Sequence, residues 1–316
     1  MKSVFIAELS AGDDLLNEPF LLQDVARRET KDGRTYLLSV FRDRTGSMNG
    51  VFWDVPPDVE GWVKPGIVTL VTGRVNSYKN SLQITTTDLN PSMSPEMSDF
   101  LPTSGRPMDQ MVKELQEIIA GLDQPWQALV SNIILAPEFL ILYANAPAAR
   151  SMHHAYVGGM LEHTLSMAEI AQFLIGHYPY VNRNLLISGV LLHDMGKAIE
   201  YETTTSFDFT DDGRLVGHIA RAAIIIETAA SEVGGVPEVD LRQLLHLVLS
   251  HHGTQEWGSP IVPKTLEAIL LHQLDLLDSR VQGFFDHLRN DDSNLLWTGR
   301  TSYMFNTELR RPPGFE

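Results

Sequence analysis

Leu185-Leu186-Ile187-Ser188-Gly189-Val190-Leu191-Leu192-His193-Asp194-Met195-Gly196-Lys197 is an apolar run that stops on an imidazole, a carboxylate and an ammonium. The spacing over Asn184–His193 predicts a helix whose apolar residues require burial. A carboxylate beside an imidazole at the end of a buried helix needs a compensating charge. A divalent cation supplies one, since His193 and Asp194 can both reach the same ion while the second carboxylate oxygen stays open to another. For the dipeptide alone, a helix-terminal pair satisfied by backbone groups is the competing reading.

Companions elsewhere in the chain decide between the two. His163 lies in the apolar-faced segment Met160–Leu165, and His218 opens a helical stretch after Gly217. His251 and His252 end another before Gly253, and Asp275 sits among leucines in Ile269–Leu277. A buried aspartate without a partner is costly. Histidines and carboxylates facing inward from several helices match a bundle-core site for one or two divalent ions such as Mn²⁺, Mg²⁺ or Fe²⁺. The absence of cysteine disfavours structural zinc.

Helical periodicity extends outward from this run. Met111, Leu115, Ile118, Ile119 and Leu122 share one face, and similar patterns recur at Leu161–Gly176, His218–Val233, Leu241–Ser250 and Thr265–Leu288. Thr203–Leu215, with Asp211-Asp212-Gly213, reads as a small inserted hairpin. Before residue 93 the period is two. Phe20–Glu29, Thr35–Phe41, Val51–Val55, Gly66–Ser77 and Ser81–Asp88 are expected strands, with turns at Lys31–Arg34 and Tyr78–Asn80 and a loop at Gly46–Gly50. Five strands in so short a stretch suit a closed barrel, because closure removes edges. Residues 93–106 are rich in Pro, Ser and Gly and read as a linker. The fold class is therefore a five-stranded β-barrel over residues 1–92 followed by an all-helical bundle over residues 107–316.

Composition narrows the function classes. The chain has 316 residues, 43% hydrophobic, no cysteine, and a net charge of −16, which excludes disorder, a disulfide scaffold and thiol chemistry. That charge argues against coating duplex nucleic acid through bulk electrostatics. Residues 20–90 are close to neutral, so the acid lies outside the barrel. No apolar stretch approaches the roughly 18 residues of a membrane span. The opening Met1–Glu8 carries acid by position 8 and lacks the apolar core of a secretion signal, so the cytoplasm is the expected compartment.

The order His163, His193-Asp194, Asp275 resembles the HD-domain metal-dependent phosphohydrolases. His218 and His251 or His252 look like the further ligands of their two-metal members. His153–Thr164 and Ser250–Pro260, behind an N-terminal barrel, are more narrowly similar to the YhaM-type 3′→5′ exoribonucleases. That resemblance implies an OB-fold paired with an HD domain, a bacterial cytoplasmic enzyme, single-stranded RNA or DNA as partner, and Mn²⁺ as cofactor. Fe²⁺, Co²⁺, Ni²⁺, Zn²⁺ and Mg²⁺ suit the same donors. It assigns His163, His193, Asp194 and Asp275 to one ion and His218, His251 and His252 to a second, with Asp194 as the catalytic bridge. Two such ions would clamp a phosphodiester and activate water. Lys197, three residues after Asp194, then neutralises phosphate charge, or balances the helix dipole if it is solvated.

His153 and His154 are candidates for lining the pocket or touching phosphate, and His272, one turn before Asp275, for orienting that ligand. Glu256 and Trp257 would hold a terminal nucleotide or anchor their loop. In the barrel Phe41, Phe52, Trp53 and Tyr78 with Arg42, Arg44, Arg74 and Lys79 form a candidate platform for single-stranded bases, although strand alternation sends about half of such aromatics into the core. His177, His246 and His287 read as structural or surface residues. An OB-fold also mediates protein contacts, which leaves homo-oligomerisation open. Two other functions compete with RNA trimming: hydrolysis of a free or signalling nucleotide, and binding of single strands without catalysis.

Overall fold

A computed structural model describes residues 2–30, 32–78, 81–93, 99–150, 152–203, 207–291, 293 and 295–315. The chain divides into two compact units between Thr103 and Ser104. In the first, β1 (Asp14–Glu29), β2 (Thr35–Asp43), β3 (Gly46–Trp53), β4 (Ile67–Tyr78) and β5 (Ser81–Pro91) close a barrel in the order β1-β2-β3-β5-β4. All neighbours are antiparallel except β3 and β5. This closed five-stranded arrangement is an OB-fold. The short helix α1 (Pro57–Trp62) stands between β3 and β4.

Strand alternation sends Leu37 and Phe41 of β2, Phe52 of β3, Val71 and Val75 of β4, and Ile84 of β5 into one core. β1 is longer than the spacing predicts, because register shifts after Leu15 and Leu22 let one 16-residue strand curl and pair with both β2 and β4. Gly46–Gly50, expected as a loop, forms the first half of β3. Met48 and Gly50 point inward there, and a Cβ on Gly50 would lie 2.3 Å from the Phe41 ring, so the glycine marks a close approach and not a turn. Lys31 of the first expected turn and Lys79-Asn80 of the second lie outside the described residues.

Lys2 closes one end of this unit. Its Nζ donates to the Pro19 carbonyl at 2.9 Å, lies 3.3 Å from Asp43 and 3.8 Å from Glu18, and sits 3.7 Å from the centre of the Phe20 ring. Burial pulls this ammonium below its ordinary pKa despite the two carboxylates beside it. Asp43 and Glu18 in turn accept the backbone N–H groups of Ile6, Ser3 and Val4.

The second unit is helical apart from one hairpin: α2 (Met108–Ala120), α3 (Trp126–Ile134), α4 (Pro137–Asn145), α5 (Gly159–His177), α6 (Arg183–Leu192), α7 (Lys197–Glu200), α8 (Asp211–Leu215), α9 (His218–Val233), α10 (Glu238–Ser250) and α11 (Leu266–Arg289). Every residue of α6 from Leu185 to Leu192 is buried, which places this helix at the centre of the unit. Each fully buried aliphatic side chain there contributes roughly 1.5–3 kcal/mol. Periodicity did not predict α3 and α4. α3 buries Trp126, Leu129, Val130, Ile133 and Ile134 opposite Gln127, Ser131 and Asn132, but this face runs for only nine residues, too short to stand out as a period.

Residues 93–106 are not a uniform tether. Phe100 and Leu101 are buried and Asp99 accepts the Arg44 N–H, whereas Ser104 donates to the Val157 carbonyl in the helical unit. Residues 94–98 lie outside the described residues. The expected hairpin is β6 (Tyr201–Thr203) paired with β7 (Phe207–Phe209), with 204–206 outside the description. Asp211-Asp212-Gly213 is not its turn but the first turn of α8, where the Thr210 hydroxyl accepts the Gly213 N–H. No single helix among the described residues is long and apolar enough to cross a membrane.

Lys2→Ala is expected to destabilise the barrel by about 3 kcal/mol, because the buried Asp43 carboxylate loses its cation. Denaturant titration of the full-length protein measures this, and an unchanged unfolding midpoint would contradict it.

Candidate metal centre

Helix ends build the site. His193 and His251 are the residues that cap the C-terminal ends of α6 and α10, and each Nδ1 meets the carbonyl three residues back, Val190 at 2.9 Å and Val248 at 2.6 Å. A carbonyl only accepts, so both Nδ1 atoms carry the proton and both Nε2 atoms present a lone pair. His252 follows the same rule, with Nδ1 donating to the Trp257 carbonyl at 2.8 Å. Acidic side chains hold the other two rings. His163 on α5 has Nδ1 2.7 Å from Asp278, and His218 at the start of α9 has Nδ1 2.9 Å from Glu200.

These free edges converge on Asp194, in the turn between α6 and α7. Asp194 Oδ2 lies 3.4 Å from His193 Nε2 and 4.0 Å from His163 Nε2, and Asp275 Oδ1 is 3.4 Å from His163 Nε2. Asp194 Oδ1 faces the other way, 3.5 Å from His251 Nε2 and 3.7 Å from His218 Nε2. Asp194, His218, His251 and His252 each offer one donor atom within 4.8 Å of the others, as do His163, His193 and Asp194. Lys197 at the start of α7 donates to Asp194 Oδ2 at 2.6 Å. Gly196 lets α7 approach α9 this closely, since a Cβ there would lie 2.2 Å from the His218 carbonyl oxygen.

The Nε2 atoms of His163, His193, His218 and His251 and Oδ1 of Asp194 are buried with no hydrogen-bond partner among the described residues. Five orphaned donor atoms of one sign in one place are costly unless a cation sits between them. Nitrogen and carboxylate oxygen donors without thiolate fit a borderline divalent ion. The electrostatics agree. Burial opposes charge on His163, yet Asp275 and Asp278 raise its pKa to about 9, so the pocket around it draws positive charge. Burial also resists ionisation of Asp194, but Lys197 and His193 hold it well below the usual carboxylate range. Burial pushes His252 down to about 3, helped by His251 and His218, so its ring is neutral and ready to coordinate.

Beside these donors opens a cavity of about 380 Å³. Lys197, His252 and Asp275 line it together with His153, Trp257, His272 and the exposed Arg280. Burial pushes His153 down to about 3, and its Nδ1 has no partner among the described residues. His154 is buried outside the cavity, its Nε2 2.9 Å from Asp278 and its Nδ1 2.7 Å from the Tyr156 hydroxyl. His272 does not orient Asp275; its Nδ1 meets the His251 carbonyl at 2.8 Å. Glu256 is exposed and away from the cavity lining.

Sequence reading missed Asp278, Glu200 and Arg280. Asp278 is one turn beyond Asp275 and Glu200 one turn beyond Lys197, and that shared helix face was their only signal. Asp278 also accepts from the Ser166 hydroxyl, which leaves it braced from three sides.

The barrel candidates separate by alternation. Phe41 and Phe52 belong to the core and cannot stack on a base. Their neighbours face outward: Trp53 is half exposed and stacks on Tyr36, a residue not singled out from the sequence, with ring centres 4.7 Å apart. Tyr78 is exposed, and Arg42 is partly buried, its pKa lowered by that burial. Arg74 lies 3.7 Å from Asp14, and the Arg44 guanidinium covers the Phe5 ring. Lys79 lies outside the described residues.

A His-Asp doublet met by side chains from four other helices defines an HD-type metal-binding domain, and the family model described as HD domain matches residues 160–280. The 3'-5' exoribonuclease YhaM of Geobacillus sp. (strain WCH70) is 33% identical over 264 residues, 83% of this chain and 81% of that protein. The YhaM protein of Oceanobacillus iheyensis is 35% identical over 266 residues, 83% of each chain. This protein belongs to the YhaM 3′-5′ exoribonuclease family. The second OB-fold domain of replication protein A from Methanococcus maripaludis is also similar, with a TM-score of 0.25 and 23% identity over 30% of this chain and 98% of that one.

Asp278→Asn is expected to weaken Mn²⁺ binding about ten-fold, and Asp278→Ala by up to about 100-fold, because His163 loses the group that sets its tautomer and basicity. Calorimetric titration of metal-free protein reads both, and unchanged affinity would refute the role.

Proposed function

We propose that this protein is a metal-dependent 3′→5′ exoribonuclease acting on single-stranded RNA in the cytoplasm, with single-stranded DNA as a secondary substrate and Mn²⁺ as its ion. The observation carrying this reading is the Asp194 carboxylate, whose two oxygens face separate sets of buried, unpartnered imidazoles. His163, His193, Asp194 and Asp275 would hold one ion, and His218, His251 and His252 with the other Asp194 oxygen a second. When bound, such ions supply Lewis-acid charge to a phosphoryl oxygen and lower the pKa of a water.

The chain's own residues do the rest. Lys197 fixes the Asp194 rotamer through its 2.6 Å contact and places an ammonium in the cavity lining, where phosphate charge grows during cleavage. Burial and the neighbouring Asp194 act in opposite directions on that ammonium, and Asp194 prevails, keeping it protonated. Arg280, which also lines the cavity, would pair with a backbone phosphate of the bound strand. In the barrel, the stacked Tyr36–Trp53 pair offers a sequence-tolerant surface for a single strand. Near-neutral charge over residues 20–90 makes that binding depend on stacking more than on phosphate contacts.

A 5′-labelled RNA incubated with Mn²⁺ is expected to give a ladder shortening from its 3′ end, abolished by chelator. Asp194→Asn removes cleavage and leaves RNA binding by the barrel intact; complete turnover by that variant would refute the assignment. Release of phosphate from free nucleotides with RNA untouched would favour a nucleotide hydrolase instead. Trp53→Ala is expected to weaken single-strand binding at least about five-fold, measured by fluorescence anisotropy with chelated metal.

A further inference from the structure

Two imidazoles outside the proposed ligand sets, those of His153 and His272, line the cavity beside the metal donors. His272 Nδ1 lies 2.8 Å from the His251 backbone carbonyl, which can only accept, so Nδ1 carries the proton. In that tautomer Nε2 presents a lone pair, and this atom has no hydrogen-bond partner among the described residues although the side chain lines the cavity. The ring is closely packed on one side. It packs against Gly253, where a Cβ would lie 2.2 Å from the ring, and Gly253 has φ +82°, a conformation other residues rarely adopt. Trp257, whose ring centre is 6.2 Å from that of His272, stands beside it in the same wall. An acceptor next to an aromatic face, in a chamber that Lys197 and Arg280 also line, matches a nucleoside: base on the indole, sugar hydroxyl on the acceptor.

We propose that His272 Nε2 accepts a hydrogen bond from a ribose hydroxyl of the 3′-terminal nucleoside, making His272 a specificity residue for RNA ends. This rests on the exoribonuclease reading above. The ring commits one nitrogen to backbone, and the other has no partner among the described residues in a side chain that lines the cavity. A brace for His251 alone would need only Nδ1.

The test uses full-length protein with Mn²⁺ and three RNAs identical except for a terminal ribo-, 2′-deoxy- or 3′-deoxynucleotide. The wild type is expected to cleave the ribo end about ten-fold more efficiently than whichever end lacks the contacted hydroxyl, the gain of one hydrogen bond. In His272→Ala that ratio falls towards one, through KM more than kcat, and His272→Gln, which keeps an acceptor, restores part of it. Equal slowing of all three ends in His272→Ala, or a wild type indifferent to both hydroxyls, overturns the proposal. Calorimetry with AMP, 2′-deoxy-AMP and 3′-deoxy-AMP provides a readout free of turnover. If these bind with the same His272-dependent preference while no oligonucleotide is shortened, the exoribonuclease reading fails and the hydroxyl contact stands. Loss of preference in binding and cleavage alike removes the contact and leaves the exoribonuclease reading standing.

Discussion

One buried carboxylate organises the helical unit. Asp194 cannot sit in that interior as an isolated anion, because burial of an unpaired charge costs several kcal/mol. Lys197 neutralises one oxygen, and the imidazoles of His163, His193, His218 and His251 crowd both. Ammonium and carboxylate alone leave the surrounding lone pairs unmatched. The arrangement is balanced only with further positive charge among them, and this requirement ties the fold of α5, α6, α9, α10 and α11 to the chemistry.

The tautomers are set by two different devices. His193, His251 and His252 use backbone carbonyls at or just beyond helix ends, groups that every helix terminus leaves unsatisfied. His163 and His218 use carboxylates, Asp278 and Glu200. The first device is nearly neutral and costs nothing beyond the helix end itself. The second adds negative charge behind the ring and makes the nitrogen in front a stronger donor. The two donor sets flanking Asp194 each combine both kinds.

In the barrel the governing constraint is the two-residue period of a strand. Adjacent residues face opposite sides, so Phe41 and Phe52 fill the core while Arg42 and Trp53 remain outside. Tyr36, paired with Trp53 across β2 and β3, completes an aromatic pair on the outer face. A list of aromatic and basic residues therefore contains both surface and core, and only the register separates them.

Much was determined by sequence alone. The change of hydrophobic period near residue 93 marked a barrel and a helical bundle, and the apolar helix ending on His193-Asp194 required a charge partner whatever its neighbours. Matching histidines and Asp275 on other amphipathic stretches named the residue types that could meet it. Local periodicity carried this information because each of those helices has a distinct buried face. It failed for α3, whose amphipathic face runs for only nine residues, and for Gly46–Gly50, where glycine reflects the Phe41 ring above it and not a turn. Tertiary structure alone decided that Asp278 and Glu200 stand behind the rings of His163 and His218, that His154 lies outside the cavity, and that His272 turns toward it. Those outcomes depend on contacts between residues as far apart as His163 and Asp278, and a one-dimensional pattern records which face a side chain occupies but not which distant side chain that face will meet.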